Sequence, residues 1–123
     1  MRLLLDTHVV IWWDAGQRLS AAANKAIRDA DQVYVSAASA WEIAIKTALG
    51  KISSTRSLAE ATGESGFDEL PVTFAHAAQL AVLPLIHRDP FDRMLVAQSM
   101  VEGVTLVTRD PALQQYGVAV IKA

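Results

Sequence analysis

Residues 2–16 read RLLLDTHVVIWWDAG, two apolar runs parted by Asp6 and His8. The first run, Arg2–Leu5, is short and apolar behind its arginine, the pattern of a strand buried on both faces. The second, Thr7–Ala15, suits a helix that Asp6 or Thr7 can cap and Gly16 can end. A buried strand feeding directly into a helix is how a parallel α/β unit begins.

The rest of the chain repeats that alternation. Ser20–Asp31 is an alanine-rich helix with polar residues on one side, and Gln32–Ser36 (QVYVS) is strand-like. Ser36 or Ser39 opens a second alanine-rich helix to Leu49, closed by Gly50. Within Ile52–Gly66 only Leu58–Glu64 has a helical pattern. Glu69–Val72 (ELPV) reads as a short strand, and Thr73 caps a helix to about Leu83, before Pro84. Asp89-Pro90 is an N-cap followed by proline at the first helical position, launching Phe91–Glu102, with Gly103 as its stop. Val104–Thr108 is a β-branched strand, Pro111–Tyr116 a helical turn, and Val118–Ile121 the last strand. Such alternation predicts a three-layer α/β/α sandwich around a mainly parallel sheet of about four or five strands. At 123 residues, without repeats or a linker, the chain is expected to form one domain over 1–123.

Composition narrows the function classes. With 52% hydrophobic and 20% charged residues the chain carries enough apolar mass for a folded core. Cysteine is absent. That removes disulfides, thiolate metal sites and cysteine nucleophiles together, and suits a reducing compartment. Asp6 and His8 interrupt the N-terminal apolar stretch that a signal peptide needs. No segment approaches the ~18 apolar residues of a membrane span. The expected location is therefore the cytoplasm. The net charge of −2 argues at first against a nucleic-acid partner, unless several acids are held at a metal. No acid lies between Glu42 and Glu60, whereas Lys46, Lys51 and Arg56 do. They form either a basic rim or an ordinary solvated face.

The positions of the acids carry the functional argument. Asp6, between two apolar runs, should be partly buried, which is costly for a carboxylate without partner or cation; it is either a helix cap or a site residue. Glu42 stands among Ala38, Trp41, Ile43 and Ile45, with Lys46 at ion-pair spacing. That pair explains an exposed glutamate better than one on a helix apolar all round. Asp89 and Asp92 are one helical turn apart; Asp89 fits capping, Asp92 fits function. Asp110 also has the Asp-Pro form of a cap, yet it follows a strand end, as Asp6 does. In parallel sheets, sites form beyond the strands' carboxyl ends. Acids brought together there repel one another unless a cation joins them. Oxygen-rich sets select Mg²⁺ or Mn²⁺, ions suited to phosphodiester cleavage. The histidines His8, His76 and His87 are scattered and lack zinc spacing. His76 reads as an ordinary helix residue. Ser36 and Ser39 lack a nucleophile elbow, and no glycine-rich phosphate loop is present.

Four blocks in order, LLLDTHVVIWW, SAASAWEIAIK, HRDPFDRMLVAQSM and VTLVTRDPAL, resemble PIN-domain proteins of the VapC type, the ribonuclease toxins of bacterial toxin–antitoxin pairs. The resemblance implies catalytic acids at Asp6, Glu42, Asp92 and Asp110. It places Asp6, Asp92 and Asp110 on Mg²⁺ or Mn²⁺, with Asp89 either a further ligand or only a cap, and Thr7 and Thr108 as supporting hydroxyls. It also implies RNA as substrate, a homodimer, and a small VapB-type antitoxin covering the site. An arginine is the expected blocking group, because a guanidinium pairs bidentately with carboxylates. Trp12, Trp13 and Trp41 lie in the same blocks as core or as an anchor for a partner.

Two other classes are weighed against a nuclease. A receiver-like module with an acidic pocket needs neighbouring acids after the first strand, where Thr7 and His8 stand. A phosphatase with an aspartate nucleophile needs an acid two residues on, at His8. A catalytically silent PIN-like binding module remains as the alternative reading.

Overall fold

The computed structural model describes residues 1–52 and 57–123 of the chain. Arg56 therefore lies outside the described residues. Among the described residues five strands make one sheet: β1 (Arg2–Leu5), β2 (Gln32–Ser36), β3 (Asp68–Leu70), β4 (Thr105–Thr108) and β5 (Val120–Lys122). Their order is β3-β2-β1-β4-β5, and every pairing is parallel. The helices among the described residues are α1 (Thr7–Asp14), α2 (Ala21–Asp29), α3 (Ala37–Ala48), α4 (Leu58–Glu64), α5 (Phe74–Ala81) and α6 (Pro90–Glu102), with a 3₁₀ turn at Pro111–Tyr116.

The alternation of side chains along β1 builds the layers. Leu3 and Leu5 face a core with Val9, Val10, Ala23 and Ile27 from α1 and α2. Leu4 faces the other way, onto Leu95, Val96, Leu106 and Leu113. All three leucines are fully buried, each worth roughly 1.5–3 kcal/mol of transfer free energy. A central strand with apolar residues on both faces holds the α/β/α sandwich together, as expected from the leucine run.

Each helix begins where the sequence offers a cap. Asp6, Ser20, Ser36, Ser57, Thr73 and Asp89 accept backbone N–H groups at the starts of α1 to α6. Gly103 takes the left-handed conformation (φ 65°) that ends α6 and turns the chain into β4.

Several boundaries differ from the sequence reading, three of them with a clear local cause. β3 runs Asp68–Leu70 rather than Glu69–Val72, since Pro71 has no N–H to continue the ladder with Ser36. The last strand is Val120–Lys122, shifted because β4 pairs from Leu106↔Val120 to Thr108↔Lys122. α5 ends at Ala81, short of Leu83, as Pro84 disfavours helix in the residue before it.

The topology sets where a site forms. From β1 the chain moves outward through β2 to β3, then returns across the sheet to β4 on β1's other side. The direction reverses between β1 and β4, so the crevice beyond their carboxyl ends is the switch point of the sheet. Asp6 follows β1 directly, its N–H bonded to the Val107 carbonyl of β4 at 3.0 Å.

Candidate active site

Asp6 both caps α1 and sits at the switch point. One carboxylate oxygen accepts from the N–H groups of His8 (2.8 Å) and Val9 (3.3 Å); the other accepts from the Thr108 hydroxyl at 2.6 Å. Three donors offset the cost of burying this acid. The Thr108 hydroxyl in turn accepts from the Asp110 N–H at 3.1 Å, so one buried threonine links the ends of β1 and β4. Asp110 caps the 3₁₀ turn through the Ala112 N–H at 2.9 Å, and its outer oxygen lies 2.8 Å from His87 Nε2.

Glu42 is only 2% exposed. Its Oε2 pairs with Lys46 Nζ at 2.6 Å, the ion pair anticipated from the spacing. Its Oε1, however, is buried without a hydrogen-bond partner among the described residues. Hydrogen bonding to Glu42 raises the Lys46 pKa against the effect of burial, and the charges of Glu42, Asp89 and Asp92 add to the rise. Lys46 thus belongs to the acidic cluster, while Lys51 is exposed.

Asp89 behaves as the cap it resembles, accepting from the Phe91 and Asp92 N–H groups at 2.8 and 3.1 Å. Asp92 is different. Its carboxyl is pushed up to about 7, first by burial, then by the charges of Asp89 and Asp6. Glu42 pushes in the same direction and His87 opposes. Four acids from α1, α3 and α6 therefore share one field. Among the described residues, His87, Asp92 and Asp110 bring one ligand atom each to within 4.8 Å of one another.

Thr7, expected beside the acids, commits its hydroxyl to Ser39 at 2.8 Å, tying α1 to α3. His87, one of the three scattered histidines, is the residue that spacing did not single out. His76 is a fully buried histidine that accepts the Thr73 N–H at Nδ1 (3.0 Å) and meets Glu102 at 2.8 Å. Trp12 and Trp13 pack against the core. Trp41 is 64% exposed and meets Phe91 edge-on, ring centroids 5.1 Å apart.

The residues suit a hard divalent cation. Carboxylate oxygens predominate, one buried oxygen of Glu42 lacks a partner, and the Asp92 carboxylate is destabilised by its neighbours. Fold and site together define an α/β protein with a partly buried acidic centre at the switch point of a parallel sheet. Comparison with known proteins sharpens that class: the PIN domain family model matches residues 3–119. The chain belongs to the PIN-domain family. It is 37% identical over 123 residues to Ribonuclease VapC22 of Mycobacterium tuberculosis, covering 93% of this chain and 91% of that protein. Solved structures that share its fold include VapBC2 and FitAcB. VapBC2 from Rickettsia felis, bound to a promoter DNA fragment, gives a TM-score of 0.73 at 11% identity, covering 99% of this chain and 98% of that one. FitAcB from Neisseria gonorrhoeae gives 0.68 at 20% identity, with 97% and 96% covered. No helix among the described residues is long and apolar enough to cross a membrane.

Proposed function

We propose that this chain is a Mg²⁺- or Mn²⁺-dependent endoribonuclease acting as the toxin of a toxin–antitoxin pair. The observation that carries the reading is Asp92, which burial first, and then the gathered charges of Asp89, Asp6 and Glu42, leave titrating near neutrality, at about 7. A structural cap or ion pair needs no such accumulation of like charge. The likeness to a ribonuclease over nearly the whole chain supports the same reaction class.

In this reading Asp6, Asp92 and Asp110 hold the metal, Asp89 adds a ligand or remains a cap, and Glu42 completes the catalytic set. A bound Mg²⁺ or Mn²⁺ supplies an acidified water and charge balance for a phosphoryl group. The chain's own residues do the positioning. Thr108 fixes the orientation of Asp6 and the turn that carries Asp110. Lys46 neutralises one oxygen of Glu42 and leaves the other available. Thr7 and Ser39 lock the helix bearing Glu42 against α1.

The whole chain, 1–123, acts as one domain in this reading, in the cytoplasm and as a homodimer. RNA is the substrate. A small antitoxin of the VapB kind places an arginine against the acids, a role supported by the fold shared with VapBC2 and FitAcB. Trp41, exposed beside Phe91, offers that partner an aromatic anchor. The test is cleavage of single-stranded RNA by purified protein with Mg²⁺ or Mn²⁺, and its loss in EDTA. A metal-loaded protein that cleaves nothing supports the silent binding module instead.

A further inference from the structure

His87 stands between two acids that reach the site from different elements. Its Nε2 is 2.8 Å from Asp110 Oδ2, on the turn after β4, and 3.5 Å from Asp92 Oδ2, on α6. The ring's other nitrogen is already used: Nδ1 accepts the Asp89 N–H at 3.0 Å. A neutral imidazole carries one proton. With Nδ1 accepting, that proton is on Nε2, which donates to Asp110. The backbone of His87 is held as well, its N–H donating to the Tyr116 hydroxyl at 2.8 Å. Tyr116 closes the same 3₁₀ turn that Asp110 opens. The segment before α6 and the turn after β4 are thus tied twice, once through the ring and once through the backbone.

We propose that His87 is a positioning residue of the metal site, a fixed Nε2–H donor that holds the Asp110 carboxylate beside Asp92. The inference rests on the metal-nuclease reading and adds a residue to it. His87 is not itself a ligand, because offering Nε2 to a cation would require moving its proton to Nδ1 and breaking the bond from the Asp89 N–H. Without the imidazole, Asp110 keeps its cap to Ala112 but loses the donor that orients its outer oxygen. Losing a hydrogen-bond partner of a metal-binding carboxylate costs roughly 10–100-fold in metal affinity.

The experiment measures Mn²⁺ affinity by calorimetry for the wild-type chain, His87→Ala and His87→Gln, all at pH 8. It is paired with ¹⁵N–¹H spectra of the wild-type imidazole with and without Mg²⁺. His87→Ala is expected to weaken Mn²⁺ binding about 10–100-fold. His87→Gln, whose amide nitrogen offers an N–H near the position of Nε2, should restore most of it. The spectra should show Nε2 protonated and Nδ1 bare in both states. These are wild-type spectra, so they report even if His87→Ala does not fold. Wild-type affinity in His87→Ala overturns the inference, as does His87→Gln binding no better than His87→Ala. An Nε2 that loses its proton to the cation makes His87 a ligand and overturns it too. A wild-type chain that binds no Mn²⁺ and cleaves no RNA brings down the nuclease reading with it, a separate and recognisable failure.

Discussion

Replacing Asp92 by asparagine in the metal-free protein removes the acid on which burial and the charges of Asp89, Asp6 and Glu42 converge. The Asp92 carboxyl rises from 3.8 to about 7 on folding. At about 1.4 kcal/mol per unit, ionising it in the folded chain costs on the order of 4 kcal/mol more than in the unfolded one. The folded pKa lies above the unfolded value, so between about pH 4 and 7 the native state holds the extra proton. Stability from this group is complete at low pH, falls as pH rises through that window, and is flat above it. Asparagine stays neutral but must still be desolvated, so the net gain at pH 8 is expected to be smaller, about 1–2 kcal/mol. Urea unfolding in EDTA at pH 5 and pH 8 reads this directly. Asp92→Asn should exceed the wild type at pH 8 and lose that advantage at pH 5. Added Mg²⁺ or Mn²⁺ should reverse the order, because a ligand at 100 times its dissociation constant stabilises the wild type by about 2.7 kcal/mol and the variant much less. A variant less stable than wild type at pH 8 in EDTA, with the same dependence on pH, would refute the reasoning.

Asp6→Asn should lower RNA cleavage by about a hundredfold or more with the fold intact, since the amide oxygen can still accept the His8 and Val9 N–H groups that cap α1 and its NH₂ can donate to the Thr108 hydroxyl; circular dichroism and a cleavage assay check both halves. Asp89→Asn should cost far less activity and under about 0.5 kcal/mol of stability, because asparagine still caps α6. If Asp89→Asn is inactive while Asp92→Asn cleaves, the third acid has been assigned to the wrong residue. Leu4→Ala should destabilise by about 2–5 kcal/mol in urea unfolding, the leucine being fully buried between β4 and α6. Expressed alone, the chain should arrest growth, and co-expression of a neighbouring small gene should relieve it; harmless high-level expression with no co-purifying partner contradicts the toxin role.

Most of the fold was legible because its signals are local. Leu3–Leu5 are apolar on both sides of a strand, and the caps Asp6, Ser20, Ser36, Thr73 and Asp89 stand immediately before their helices. Strand edges were less legible, since they depend on pairing partners: Pro71 and the register of β4 with β5 moved two of them. The acids could be picked out by their position after strands, but not how each is shared. Asp6 turned out to serve as cap and cluster member at once, and Glu42 is paired through one oxygen and orphaned at the other. His87 was hidden for a different reason. Its meaning arises from contact with Asp110, 23 residues away, and no periodicity or motif spacing encodes that approach.

The central claim is that the acidic cluster is a metal-dependent ribonuclease centre, and RNA cleavage across a chelator boundary tests it most directly. Purified wild-type protein and Asp92→Asn are incubated with single-stranded RNA in EDTA, then with excess Mg²⁺ or Mn²⁺. The account predicts cleavage only by the wild type and only with the metal restored. Undiminished cleavage by the wild type in EDTA, or equal cleavage by Asp92→Asn prepared in parallel, would contradict it.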